Sequence, residues 1–309
     1  MDKKLLNKLV GIAFLAAFLM VPLMMIEKQI TTRGLHQEEV KAEIAKTAAG
    51  AQTLAGPMLV VRYQIQEPAG VYQDERTGEM VTRYSSRREE RVLSLPAEHL
   101  NIRGKANVES RYRGIYQARL YHLDLQLAGR FSIPADLGAP QTNKGKIVEA
   151  RALLLLGVSD LRGLENDPEV QVNGRNLRFR ASTDADLAGT NLDGVLPSGR
   201  LELDLGSVTP GQESQLEFAF PLKLTGTENF SIQPTAQMND IQLTSDWRHP
   251  SFQGFLPQSR EIGKRGFKAE WNIVSRLSRS LKTPASQDAI GIGFIEPVNI
   301  YLQSERAIK

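Results

Sequence analysis

A chain of 309 residues, 41% hydrophobic and 24% charged, has the length and apolar content to bury a sizeable core, which excludes wholesale disorder. Its formal net charge of only +3 gives no case for a nucleic-acid partner, which would want a concentrated basic face. It contains no cysteine, so disulfides, thiolate metal sites and cysteine nucleophiles are excluded together.

The first predicted element is a membrane helix. Leu9 to Ile26 carries no charged or strongly polar side chain, and at the helical rise it spans roughly 27 Å, close to the hydrocarbon thickness of a bilayer. It is apolar around its whole circumference, which suits lipid better than a protein core. Lys3, Lys4 and Lys8 precede it, whereas Glu27 and Lys28 after it nearly cancel. The positive-inside rule then puts the N-terminus in the cytoplasm and everything after Ile26 on the outer side of the inner membrane. A cleaved signal peptide has a similar start, but no small-x-small site follows the run. Residues 1–28 therefore read as a cytoplasmic tip and an uncleaved anchor, with the lipid bilayer as partner.

Residues 29–50 read as a short amphipathic helix. Leu35, Val40, Ile44 and Ala48 recur near helical spacing among Glu38, Glu39, Lys41, Glu43 and Lys46, and Gly50 ends the pattern. Gly56-Pro57 then punctuates the chain.

From Met58 the period becomes two. Tyr121, Leu123, Leu125 and Leu127 alternate with polar residues, as do Leu201, Leu203 and Leu205, and Phe267, Ala269, Trp271 and Ile273. Leu216 to Leu224 continue the alternation through Pro221, which predicts an edge or a bulge there. Asn173-Gly174 between two short apolar runs predicts a tight hairpin. Ala150 to Val158 predicts a strand buried on both faces. Many short strands without intervening helices predict a mainly β fold: a large antiparallel, sandwich-like periplasmic domain over residues 51–300.

The chain carries no catalytic signature. Its four histidines, His36, His99, His122 and His249, show no metal-binding spacing, and neither a metal nor a cofactor is expected. His122, on the polar face of a strand, reads as a solvated surface residue. Gly157-Val158-Ser159-Asp160 is followed by Leu161 where a nucleophile elbow needs glycine. Gly291-Ile292-Gly293 and Lys144 to Lys146 complete no phosphate-binding motif. Arg83, Arg87, Arg88 and Arg91 crowd one segment; with Glu89 and Glu90 among them, they read as a solvated, partly self-paired surface, the alternative being a site for an anionic partner such as a lipid headgroup or a polyanionic envelope polymer.

The most unusual stretch runs from Ser245 to Pro257. Trp247, His249, Pro250, Phe252 and Phe255 form a candidate interaction loop, because so aromatic a loop either tucks under the sheets or offers a sticky surface. Tucking under is the expectation. If the loop is exposed, aromatic platforms beside a histidine would suit a carbohydrate or peptidoglycan ligand, bound or processed.

Trp247-x-His249-Pro250-Ser251-Phe252-x-Gly254, with Phe255-Leu256-Pro257 and Gly266-Phe267-x-Ala269-x-Trp271, resembles the CreD family of inner membrane proteins. Gly56-Pro57, Val158-Ser159-Asp160-x-Arg162-Gly163, and Pro297-Val298-x-x-Tyr301 leading to Arg306-Ala307 are similar to it as well. The resemblance implies a non-enzymatic inner membrane protein supporting cell-envelope integrity and stress tolerance, with an envelope protein or peptidoglycan as partner. It supplies no catalytic residues. Family members continue into further membrane helices after the Arg-Ala segment, so residues 301–309 read as the lead-in to a missing C-terminal membrane region.

Overall fold

The computed structural model describes residues 11–12, 14–15, 18–20, 22–29, 31–32, 49–113, 116–137, 145–183, 192, 195–274, 281–282 and 298–301. The chain forms two compact units, Met1–Thr47 with Ser110–Ala118, and Ala48–Glu109 with Arg119–Lys309.

In the first unit every described position between 11 and 32 is helical, and Ile12, Phe14, Leu15, Phe18, Leu23 and Ile26 are all exposed. Thr31 and Thr32 end this stretch with their hydroxyls donating back to the carbonyls of Glu27 and Lys28. Among the described residues no helix is long and apolar enough to cross a membrane. The expected amphipathic helix falls on residues 33–48, outside the described ones.

The second unit is built of strands, two of which, the third and fourth, run on into residues 110–118 of the first. In chain order they begin with β1 (Gln52–Gln73), β2 (Met80–Pro96), β3 (His99–Arg113), β4 (Tyr116–Ile133) and β5 (Lys146–Val158). Short strands follow: β6 (Glu169–Val172), β7 (Arg175–Arg178), β8 (Arg180–Ala181) and β9 (Arg200–Ser207). Then come β10 (Ser214–Thr227), β11 (Asn229–Gln233), β12 (Met238–Ser245) and β13 (Ser251–Gly254). The last are β14 (Ser259–Gly263), β15 (Gly266–Val274), β16 (Leu281–Lys282) and β17 (Val298–Tyr301). One sheet has the order β13-β17-β11-β1-β5-β9-β8, with β2 and β16 attached beside β1; the other runs β14-β15-β12-β3-β4-β10-β6-β7.

The alternation seen in sequence sets the two faces. Leu59, Val61, Leu154 and Leu156 from the first sheet share one core with Ile102, Leu125, Leu222 and Trp271 from the second. The outer side of the first sheet is covered in part, where Leu192, Val195 and Leu196 pack on Met58, Val60 and Leu155. That second cover helps bury both faces of β5 from Leu154 to Val158; Arg151 nearer its start is exposed, so the expectation of a doubly buried strand over Ala150 to Val158 holds only in its second half. The Asn173-Gly174 hairpin forms as expected, with φ angles of 45° and 79° joining β6 to β7.

Three features depart from the sequence reading, and at Pro221 the local edge forms rather than the bulge. The sheets are not purely antiparallel, because β1 with β11 and β3 with β12 pair parallel. Gly56-Pro57 does not end a segment: β1 runs through it and changes neighbour there, from β11 at Gln52–Ala55 to β2 from Met58 onward. Gly56 takes φ 96° at this switch, with the Leu155 carbonyl so close that a side chain would be crowded as well as strained. At Pro221 there is no bulge; β10 stays in register with β4 and is locally open on its other side. There Asn166 replaces a strand, its amide donating to the Pro221 carbonyl and its side-chain oxygen accepting from the Lys223 amide. Finally Glu202, expected on a wet face, is fully buried and paired with Arg180.

Candidate functional site

The aromatic loop leaves β12 at Ser245, whose hydroxyl accepts from the Trp247 amide at 3.1 Å. Trp247 is half-buried against the core, and its indole N–H donates to the His249 carbonyl at 2.8 Å, which closes the turn. The Arg119 guanidinium lies 4.3 Å from the centre of its ring, a cation–π contact that covers one aromatic face. His249 is exposed, with its ring edge-on to Trp247 at 6.2 Å. Past Pro250 the chain straightens into β13, a regular strand that the loop's composition did not suggest. Phe252 there stacks edge-on against Phe267 at 5.5 Å and Trp271 at 5.7 Å. The fully buried Trp271 donates to the Phe255 carbonyl at 3.0 Å, while Phe255 and Leu256 remain exposed.

Two of the five candidates, Trp247 and Phe252, are thus tucked against the core as expected. With a guanidinium over the indole, the ring does not present the bare platform on which a sugar stacks.

His122 is only half-exposed and is not simply solvated. Its Nδ1 lies 2.6 Å from Glu165 Oε1 and 2.9 Å from Thr225 Oγ1, and its Nε2 lies 3.6 Å from Glu109 Oε1. Burial pushes the Glu165 carboxyl up, but hydrogen bonds from Thr225 and His122 outweigh it and the net direction is down. Because the Thr225 hydroxyl donates to Glu165, this group pins the segment after Gly163 to β10 rather than arming a nucleophile. The arginine cluster is partly self-paired: Arg91 chelates Glu89, Arg62 pairs with Glu90 and Arg88 donates to Gln64. Among the described residues no group of three or more His, Asp or Glu is placed to hold a metal.

The densest polar constellation is one that no catalytic motif marks. Gln52 is fully buried at the start of β1. Its amide donates to the carbonyls of Asp160 and Thr225 at 3.0 and 3.1 Å, and its oxygen accepts from Ser159 Oγ and the Asp160 amide. Its backbone N–H donates to Tyr121 Oη, and that hydroxyl donates to the Asn229 carbonyl at 2.7 Å. Asp160 starts a 3₁₀ turn, Leu161–Gly163, by accepting from the Arg162 amide, and it also accepts from the Gly50 amide. The bidentate Arg162 guanidinium holds its carboxyl below the usual carboxylate range. Gly163 fits because a Cβ there would stand 2.2 Å from Gln52 Nε2 and 2.3 Å from the Thr225 carbonyl. Thr227 completes the clasp by holding the carbonyls of Ala49 and Gly50. The one sequence signal for it is Ser159-Asp160-x-Arg162-Gly163; Gln52 carries none.

Residues 4–309 match the protein family described as "Inner membrane protein CreD". The Inner membrane protein CreD of Escherichia coli (strain K12) is 28% identical over 302 residues, covering 94% of this chain. The chain spans 62% of that relative's length. Among solved structures, the M1 zinc metallopeptidase from Deinococcus radiodurans aligns with a TM-score of 0.27 and 10% identity, over 67% of this chain and 42% of that one. A substituted form of the same enzyme, bound to a Tyr-Ser-Ala substrate, aligns at 0.26 and 11% identity with the same coverage. Likenesses this slight carry no argument about fold or chemistry.

Proposed function

The chain belongs to the CreD family of inner membrane proteins, and from that membership we propose that it is a tethered, non-enzymatic envelope protein. Leu9 to Ile26 crosses the inner membrane with Lys3, Lys4 and Lys8 on the cytoplasmic side. The two-sheet unit, a sandwich in this reading, sits in the periplasm and supports envelope integrity under stress. The observation that carries the proposal is the apolar N-terminal stretch itself. It is helical wherever described, and side chains such as Phe14 and Phe18 stand bare at 75% and 68% exposure. So much contiguous apolar surface calls for lipid around it.

Two measurements test the reading. Alkaline phosphatase fused after residue 60 should be active, and a fluorescent protein that folds only in the cytoplasm should stay dark at the same junction. The opposite pattern would overturn the topology. A deletion strain should become more sensitive to detergent and β-lactams; unchanged sensitivity and morphology would remove the envelope role.

A further inference from the structure

The register of the first sheet brings three ends of chain to one pole of the β unit. β1 begins there with Gln52 opposite Phe230, β17 finishes there with Tyr301 opposite Asn229, and β13 starts there with Ser251 opposite the same Tyr301. In the second sheet β12 runs parallel to β3 and ends at Ser245, opposite Phe267, so the β14–β15 turn arrives at the same pole. The pole therefore gathers the entry at Ala49 and Gly50, the Trp247 loop, the Arg162 turn and the turn Lys264-Arg265.

Its charge differs from that of the opposite pole. Arg119, Arg162, Arg248, Lys264 and Arg265 lie here beside Asp160, Glu228 and Asp246, with Glu109 and Glu165 engaged on His122. Asp160 is already matched by Arg162, and Asp246 accepts from the Val108 amide. An open groove of about 710 Å³ adjoins it, lined by Lys105, Lys264, Arg265 and Lys268 together with Asp246 and Glu261, and Lys268 is paired with Glu270. At the far end of β1 the hairpin turn carries Asp74, Glu75 and Glu79 against Arg76, with Arg83, Arg87 and Arg88 following on β2. Twenty-two residues of strand separate the two, up to about 70 Å at the extended rise.

We propose that the basic pole built by Trp247, Arg248, Lys264 and Arg265 seats on anionic lipid headgroups, so that the β unit stands on the membrane by the end at which its chain enters. One feature fits such a surface: exposed guanidinium and ammonium groups on neighbouring turns, with Trp247 tucked beneath and fixing the loop that carries Arg248. The acidic hairpin turn would be repelled by the same surface and points away from it. The inference rests on the tethered reading above and adds to it which residues meet the lipid.

The absence of cysteine makes the test direct. The full chain with Ser251→Cys or Glu75→Cys, each exposed, is labelled with a small fluorophore. It is then reconstituted in phosphatidylethanolamine–phosphatidylglycerol vesicles doped with headgroup-nitroxide lipid. The label at 251 should lose most of its emission and the label at 75 almost none. Adding Arg248→Glu, Lys264→Glu and Arg265→Glu should restore emission at 251. Exchanging phosphatidylglycerol for phosphatidylcholine should do the same. Equal quenching at 251 and 75, or stronger quenching at 75, would overturn the proposed seating, and quenching indifferent to the charge reversals would overturn the role of the basic residues. A chain that alkaline washing strips from the vesicles would overturn the tethered reading and this inference together. Retention in the membrane without quenching at 251 would overturn this inference alone.

Discussion

Replacing Gln52 with leucine tests whether the clasp at the start of β1 holds the domain's entry. The side chains are close in size, so the change removes hydrogen bonds with little change in packing. The Thr225 carbonyl and the Asp160 amide lose their Gln52 partner, whereas the Asp160 carbonyl keeps the Gly163 amide at 3.1 Å and Ser159 Oγ keeps the Ala51 carbonyl at 3.0 Å. Polar groups stranded in a fully buried place cost about 1–3 kcal/mol each, and the leucine returns up to about 2 kcal/mol through its own burial. The net loss is then about 2–4 kcal/mol, and for a unit of this size it lowers the melting temperature on the order of 10 °C. The assay is thermal unfolding of the full chain in detergent micelles, followed by circular dichroism. Gln126→Leu on the exposed outer face of β4 serves as the control and should shift stability by less than about 0.5 kcal/mol. If Gln52→Leu unfolds within about 2 °C of the parent chain, the clasp is ornamental and the reasoning fails.

Gly163→Ala should destabilise by about 2–3 kcal/mol because its Cβ has no room between Gln52 and Thr225. Gly174→Ala, with a φ of 79° but open space around it, should cost only about 1 kcal/mol in the same melting assay. The Asp160 carboxyl is depressed by Arg162, so its contribution is present above the ordinary value of about 4 and is lost as pH falls through the lower folded value. Asp160→Asn should therefore flatten the acid side of a stability-against-pH curve, and an unchanged acid limb would contradict the assignment. Trp271→Ala should cost about 3–5 kcal/mol and expose the edge-on partner Phe252, seen as faster proteolysis between β12 and β15.

The parts of this fold that were legible in the sequence are those fixed by local geometry. A pleated strand turns successive side chains to opposite faces, so Leu123, Leu125 and Leu127 announce a core face wherever the strand pairs. Asn173-Gly174 announces a turn because few other residues tolerate two positive φ angles in succession. What stayed hidden depends on partners distant in the chain. Glu202 follows the polar beat of β9, yet it is buried because Arg180 arrives on β8 to neutralise it. Pro68 should interrupt a strand, yet β1 continues, because register shifts between Gln66 and Gly70 absorb the missing donor. The parallel pairings require β11 and β12 to return across the fold beside β1 and β3, and no local pattern encodes that return.

The same distinction applies to polar residues whose types recur in catalytic sites but which hold backbone in place here. Ser159, Asp160 and Arg162 have the polar character of catalytic groups, but each donor and acceptor faces backbone within the clasp or its partner in the ion pair. Trp247 is ordered by its own turn and by Arg119, and Thr225 by Glu165. A catalytic group must keep one lone pair or proton directed at a vacant space where a reacting atom can sit. These residues direct theirs at the junction where Ala49 and Gly50 enter the sheets. A short polar motif that fixes the start of a strand must place its side chains as strictly as a catalyst does, because a carbonyl misplaced by an ångström loses its hydrogen bond. Specific spacing is therefore evidence of exact positioning, and only the direction of the free valences separates a clasp from a catalytic centre.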